Sequence, residues 1–144
     1  MDEYILAAIE EAKKGLSEGG IPIGSVLVKD GKIIGRGHNK RVQDSNPILH
    51  AEIDCLQNAG RIGTYKDTIL YSTLMPCYLC SGAIVQFGIK KVYAGESETF
   101  PGAKEFMESH GVEVIDLNIG ECKEMMRNFI GNNPKLWNED IGEL

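Results

Sequence analysis

The spacing of apolar residues predicts a first helix followed by a β-hairpin. Near the N terminus, apolar side chains recur at helical spacing, namely Tyr4, Ala7, Ala8, Ala12 and Leu16. Gly19 and Gly20 follow them, and glycines in this position end a helix. Two apolar runs then flank Asp30-Gly31, and an Asp-Gly pair between such runs is a strong hairpin signal. The chain is therefore expected to begin with a helix that leads into two antiparallel strands.

Helical and strand patterns alternate along the rest of the chain. The predicted helices span residues 49–60, 77–88, 102–111 and 121–132, and a last turn or two falls within 134–144. The predicted strands span residues 67–73, 90–95 and 112–117. A hairpin followed by alternating helices and strands favours one mixed sheet with helices on both faces. The predicted fold class is therefore α/β, a three-layer α/β/α sandwich around a mixed five-stranded sheet, in a single domain over residues 1–144.

Composition and charge narrow the classes of partner. The chain has 144 residues and a net charge of −6, whereas a protein that grips a polyphosphate backbone usually carries a basic face. Its N terminus lacks the basic start and apolar run of a signal peptide, and no stretch approaches the roughly 20 apolar residues of a membrane span. We therefore expect no nucleic-acid partner, no membrane contact, a cytoplasmic location and reduced cysteines.

Two cysteines three positions apart, Cys77 and Cys80, provide the first candidate chemistry. They are predicted to lie on the same side of a helix start, where Pro76 suits the first turn and the helix dipole favours thiolates. Such a pair fits a redox dithiol, a structural zinc site with two further ligands, or a catalytic zinc site with three protein ligands and one open position. The pair alone does not choose between redox chemistry and metal binding.

A histidine and a carboxylate, His50 and Glu52, head the preceding helix. In an ideal helix they are about 200° apart, but they can converge if the chain before the helix is not yet helical. His-x-Glu followed downstream by Pro-Cys-x-x-Cys is the signature of zinc deaminases, in which the Glu is not a metal ligand. The combined pattern predicts a catalytic Zn²⁺ held by His50, Cys77 and Cys80. Glu52 is then the expected proton shuttle, which deprotonates zinc-bound water for attack on an amidine-like carbon and protonates the leaving amino group.

Several further stretches extend the match to a known family. They are EGGIPIGSVLV, GRGHNKR, NAGRI, YKDTILYSTL, SGAIVQFGI and NPKLWNEDIGE, which together with HAE and PCYLC span nearly the whole chain. In these stretches the sequence resembles cytosine deaminases of the fungal type, within the cytidine deaminase superfamily. The resemblance implies hydrolytic deamination of a small-molecule nucleobase, free cytosine, to uracil and ammonia. It also implies one Zn²⁺ per subunit and a homodimer.

The resemblance also implies how the substrate is held. Asn39 is expected to bind the O2 and ring N–H edge of the pyrimidine, and Asp140 is expected to accept a hydrogen bond from its amino group. Phe100 and Trp137 are expected to close over the base, with His50 on its other face. From the residues alone, a turn cap is the favoured interpretation of Asn39, core positions are the more common place for the two aromatic residues, and Asp140 fits a surface charge.

Main-chain contacts are implied for the N–H of Ala51 and the carbonyl of Met75, and both residues depart from the family. The fungal enzymes have Gly at the first position and Ser at the second. The larger Met75 side chain is expected to reshape the edge of the pocket and so to affect which base it accepts. An alternative substrate is another small amino-heterocycle, such as guanine or a cytosine analogue. An alternative from a different class is a non-catalytic binding module stabilised by zinc.

Overall fold

The computed structural model describes residues 1–143, and Leu144, the last residue of the predicted domain and tail, lies outside them. The helices are α1 (Glu3–Ser17), α2 (Ala51–Ala59), α3 (Tyr78–Phe87), α4 (Lys104–Ser109), α5 (Gly120–Asn132) and α6 (Pro134–Asp140). The strands are β1 (Gly24–Lys29), β2 (Lys32–His38), β3 (Thr68–Ser72), β4 (Lys91–Ala94) and β5 (Glu113–Asp116). Within residues 1–143, no helix combines the length and the apolar character that crossing a membrane requires.

The strands form one mixed sheet in the order β2-β1-β3-β4-β5. Strand β1 pairs antiparallel with both β2 and β3, whereas β3, β4 and β5 run parallel to one another. The β1–β2 turn places Asp30 and Gly31 at φ 51° and 74°. Two consecutive positive φ angles match the hairpin turn that an Asp-Gly pair favours. The predicted hairpin and the predicted five-stranded mixed sheet are both confirmed.

Helices cover both faces of the sheet, which confirms the predicted three-layer arrangement. Along β1, Val26 and Val28 pack with α1 and α5 on one face. Leu27 points to the other face, where α2, α3 and α4 pack. The alternation follows from the two-residue period of a strand. Cys55 and Cys122 are buried, one in each apolar layer, as expected for cysteines without a chemical role.

Two glycines on β2 let helix α2 lie directly against that strand. A Cβ atom at Gly37 would lie 2.5 Å from the main-chain nitrogen of Cys55 and 2.6 Å from Oδ2 of Asp54. At Gly35 a Cβ atom would meet the same helix, 2.6 Å from Cβ of Ala59. Contacts this short have no room for a side chain. The position of α2, and of the His50 and Glu52 side chains at its start, therefore depends on these two glycines.

We predict that Gly37→Ala destabilises the fold by about 1–3 kcal/mol, the usual cost of overpacking a close contact. The matched control is Gly82→Ala in α3, where a new Cβ atom would have no neighbour within 4 Å. That control is expected to be neutral or to stabilise by up to about 1 kcal/mol, because alanine favours helix. Chemical denaturation of both variants measures the difference. Equal midpoints would contradict the close-contact account.

Candidate active site

The N-termini of α2 and α3 meet at a cavity of about 340 Å³. Its wall includes His50, Glu52 and Cys77 from the two helix starts. The loop between β4 and α4 supplies Phe100 to the wall, and helix α6 supplies Trp137. A cavity of this size lies at the small end of the range for ligand pockets, about 300–1,000 Å³. The cavity is therefore matched to a small molecule.

The backbone at the start of α2 explains how His50 and Glu52 reach the same cavity. His50 is the N-cap residue, with an extended backbone at φ −68° and ψ 164°, and the helix begins only at Ala51. The rotation of about 200° that an ideal helix would place between positions 50 and 52 therefore does not apply to these side chains. Both side chains line the cavity, as the sequence pattern required.

Three potential metal ligands lie together beside Glu52. One ligand atom each from His50, Cys77 and Cys80 lies within 4.8 Å of the others, and His50 Nδ1 is 3.4 Å from Cys77 Sγ. Tetrahedral zinc, with bonds of about 2.0–2.3 Å, separates its ligand atoms by roughly 3.5–3.8 Å. One imidazole and two thiols at this spacing fit Zn²⁺ and leave a fourth position open.

Cys77 is the N-cap of α3, with an extended backbone, and Cys80 is the third helical residue. Pro76 therefore lies one residue outside the helix, so its predicted place in the first turn was wrong. The Cys80 thiol donates a hydrogen bond to Cys77, which lowers the pKa of Cys77 to about 4 although burial raises it. The same bond, together with burial, raises the pKa of Cys80. The geometry thus favours a thiolate at Cys77, the form that binds a metal.

Glu52 is 5% exposed and carries a strongly shifted carboxyl group. Burial, followed by the negative charge of Cys77, raises the pKa of Glu52 to about 7, while the His50 charge opposes the shift. A carboxyl group with a pKa near neutrality can both accept and release a proton. This suits the proton shuttle that the sequence predicted.

Asn39 Nδ2 and Asp140 Oδ1 are buried polar atoms that have no hydrogen-bond partner among the described residues, and both residues line the cavity. Asn39 is fully buried, and its Oδ1 accepts a hydrogen bond of 3.0 Å from the main-chain N–H of Arg41. This leaves Asn39 Nδ2 without a hydrogen-bond partner within residues 1–143. Asp140 Oδ1 lies 3.3 Å from His50 Nε2, yet it too accepts no hydrogen bond from the described residues. Buried groups of this kind are normally satisfied, so both are suited to a ligand.

The other predicted substrate residues surround the same space. Phe100 and Trp137 meet edge to face, with ring centroids 5.6 Å apart. Met75 lines the cavity and is 1% exposed, and its side chain packs closely against Gly102. Ala51 is fully buried next to His50; neither it nor Cys80 is among the described residues that line the cavity.

Six residues that the sequence did not indicate also line the cavity. They are Ile23, Pro47, Leu74, Tyr78, Leu79 and Ile141. Four of them lie within two residues of a predicted site residue, so their closeness in sequence to the predicted site could have indicated them. Ile23 belongs to the EGGIPIGSVLV stretch, in which no site residue was predicted, and Pro47 belongs to no motif, so only the folded chain brings these two residues to the cavity.

The chain is similar to known deaminases in sequence. Residues 1–96 match the family model of the cytidine and deoxycytidylate deaminase zinc-binding region. A cytosine deaminase of Candida albicans is 49% identical over 139 residues, covering 94% of this chain and 93% of that protein. A tRNA-specific adenosine deaminase of Bacillus subtilis is 43% identical over 138 residues, covering 88% of this chain and 86% of that protein.

The fold is also similar to solved structures. One comes from work on A-to-I editing by tRNA:A34 deaminases and has a TM-score of 0.75 at 28% identity. The match covers 85% of this chain and 97% of that chain. Together with the sequence matches, it confirms the predicted family resemblance and fold class.

We predict that Cys77→Ser lowers the affinity for zinc by at least roughly 100-fold, since losing a ligand costs more than the 10–100-fold effect of losing an outer-shell partner. The control is Cys122→Ala, which removes a buried free thiol outside the site. Zinc per subunit after dialysis against a weak chelator, measured by mass spectrometry, gives the result. Full zinc retention by Cys77→Ser would exclude Cys77 as a ligand.

Proposed function

The chain belongs to the cytidine and deoxycytidylate deaminase zinc-binding family, and we propose that it catalyses the hydrolytic deamination of free cytosine to uracil and ammonia. The relative from Candida albicans, 49% identical, is a cytosine deaminase. The observation that carries the proposal is that Asn39 Nδ2 and Asp140 Oδ1 have no hydrogen-bond partner among the described residues and that both residues line one small cavity. Cytosine offers the complementary groups, a carbonyl acceptor at O2 and an amino donor at C4.

In the proposed site, His50, Cys77 and Cys80 hold one Zn²⁺ per subunit. Zinc bound there lowers the pKa of water towards about 7 and so supplies a nucleophile at neutral pH. One nitrogen and two sulfur ligands leave room for that fourth partner, as in catalytic zinc sites. The second nitrogen of His50, Nε2, lies 3.3 Å from Asp140, and such a carboxylate partner fixes the orientation of the imidazole.

Glu52 moves the protons of the reaction. It takes one proton from the attacking water and gives it to N3 of cytosine as the new C–O bond forms at C4. It then takes the proton from that hydroxyl group and gives it to the amino group. The C4–N bond breaks, ammonia leaves and the C4 carbonyl of uracil remains. A pKa raised to about 7 suits a group that must act first as base and then as acid.

The walls of the cavity orient the base for this chemistry. Asn39 Nδ2 donates to O2, and Asp140 accepts from the amino group that will leave. Phe100 and Trp137 cover the ring, while His50 lies on its other face. The N–H of Ala51 is available for a main-chain contact because it is the first residue of α2 and has no intrahelical acceptor. The carbonyl of Met75 is the second proposed main-chain contact.

We further propose that the chain works as a single domain over residues 1–144 and in the cytoplasm. All four cysteines are free thiols. A reducing compartment keeps Cys77 and Cys80 available as metal ligands rather than as a disulfide. The net charge of −6 and a cavity lined by Trp137 from the C-terminal helix argue against a nucleic-acid substrate.

The proposed assembly is a homodimer formed through the outer side of α2 and α3. Large apolar side chains are exposed there, with Tyr78 at 74% and Phe87 at 45%. An apolar groove between the two helices continues this surface, lined by Ile53, Leu56 and Ala83 among others. Exposed apolar surface of this kind marks an interaction site, and two copies of one patch satisfy a two-fold dimer.

We expect Phe87→Asp to shift the protein from dimer to monomer, because it places a charge in the proposed contact. Leu6→Asp on α1 is the matched control, since Leu6 is 43% exposed on the opposite layer. Sedimentation velocity at several protein concentrations gives the oligomeric state. A wild-type protein that remains monomeric, or a Phe87→Asp variant that remains dimeric, would contradict this interface.

We expect Glu52→Gln to retain zinc and to lower kcat on cytosine by about 10²–10⁴-fold, the usual contribution of a general acid–base group. The control is Glu113→Gln, because the Glu113 carboxylate lies 61% exposed on β5. Metal analysis and the loss of cytosine absorbance are measured on the same samples. Unchanged turnover would exclude Glu52 as the shuttle. A wild-type protein that holds zinc but turns over no amino-heterocycle would support the binding-module alternative.

A further inference from the structure

Arg41 lies just beyond the end of β2 and is nearly buried although it is charged. Its side chain is 10% exposed, whereas arginine side chains are mostly exposed unless they are paired. It is not one of the residues that line the cavity. Its burial therefore requires an explanation other than direct contact with the substrate.

Arg41 instead contacts three separate segments that form the cavity wall. Its main-chain N–H donates to Oδ1 of Asn39 at 3.0 Å, and Nδ2 of that amide is left without a hydrogen-bond partner among the described residues. Its side-chain Nε donates to the carbonyl oxygen of Pro47 at 2.9 Å. The same Nε lies 3.3 Å from Asp140 Oδ1, and Nη1 lies 3.8 Å from Glu139 Oε1 at the rim.

We infer that Arg41 is a positioning residue that sets the spacing between Asn39 and Asp140 and holds α6 closed over the cavity. Because Asn39 and Asp140 are proposed to bind the O2 and the amino group of the base, the effect on catalysis rests on the proposed function. The effect of Arg41 on the position of α6 does not rest on the proposed function. Arg41 contacts both residues directly, since its main-chain N–H bonds to Asn39 and its side chain lies beside Asp140.

Helix α6 needs such an anchor because it has only seven residues. A helix this short is not stable by itself and depends on tertiary contacts. Leu136 and Trp137 attach one side of α6 to an apolar cluster. Asp140 is at its last turn, and the opposite charge of Arg41 is the contact that ties this end to the loop after β2.

Arginine suits this position better than lysine. Its planar guanidinium has five N–H donors in a fixed fork, so one side chain can meet the Pro47 carbonyl and the Asp140 carboxylate at once. A lysine ammonium is a single point charge on a flexible stem and cannot keep the same two directions. Arg41→Lys therefore separates the effect of charge from the effect of geometry.

The first test uses Trp137, which is the chain's only tryptophan and is 5% exposed. Without substrate, Arg41→Gln is expected to shift tryptophan emission to longer wavelength and to increase quenching by acrylamide. Arg41→Lys is expected to show a smaller change in the same direction. Glu139→Gln is the control and should leave the emission unchanged, since the Glu139 side chain is 56% exposed and 3.8 Å away. Emission of Arg41→Gln identical to wild type would overturn the anchoring role.

The second test measures cytosine deamination by Arg41→Gln, Asp140→Asn and the double variant. Arg41→Gln is expected to lower kcat/KM by roughly 10²-fold, the scale of a misplacement of about 1 Å. The double variant should be no worse than Asp140→Asn alone, because the Arg41 side chain acts through Asp140 while its main-chain bond to Asn39 persists. Additive losses would overturn this coupling. If the wild-type protein does not deaminate cytosine, the proposed function fails, and the emission test still decides the role of Arg41.

Discussion

The convergence of two helix N-termini is the constraint on which the rest of the site depends. Helices α2 and α3 pack on the same face of the sheet and both begin at the cavity. Each starts with an extended N-cap residue, His50 or Cys77, that carries a potential metal ligand. The positive end of each helix dipole favours negative charge at this point. The backbone around the site therefore favours the thiolate form of Cys77, the form that binds a metal.

The residues proposed for the chemistry all lie in the part of the chain that matches the family model, whereas the proposed substrate contacts are divided between that part and the C-terminal segment. Residues 1–96, which match the family model, contain the three potential ligands and Glu52. Phe100, Trp137 and Asp140 follow that region and also line the cavity. The relatives similar to this chain include both a cytosine deaminase and a tRNA-specific adenosine deaminase. In the proposed function, the metal motif defines the reaction, and the C-terminal segment helps to restrict the size of the substrate.

Features that depend on neighbouring residues could be predicted from the sequence, whereas contacts between distant segments could not. The Asp30-Gly31 turn depends on the φ angles that these two residues adopt, so it was predictable. The Cys-x-x-Cys spacing likewise placed two thiols on one side of a helix start. The contacts of Arg41 with Pro47 and Asp140 join parts of the chain up to 99 positions apart, and no local pattern encodes them. Pro76 was misplaced because the boundaries of a helix are set by its capping geometry, which tertiary contacts decide.

The most direct test of the account compares initial rates of the zinc-loaded protein on cytosine, cytidine and guanine at equal concentrations. The account predicts turnover of cytosine without detectable turnover of the other two. In the proposed pose cytosine presents its O2 to Asn39 and its amino group to Asp140. Cytidine adds a ribose and guanine adds a second ring, so both are larger than the base that the cavity of about 340 Å³ is proposed to hold. Rapid deamination of cytidine or guanine, with cytosine unchanged, would contradict the account of how this cavity selects its substrate.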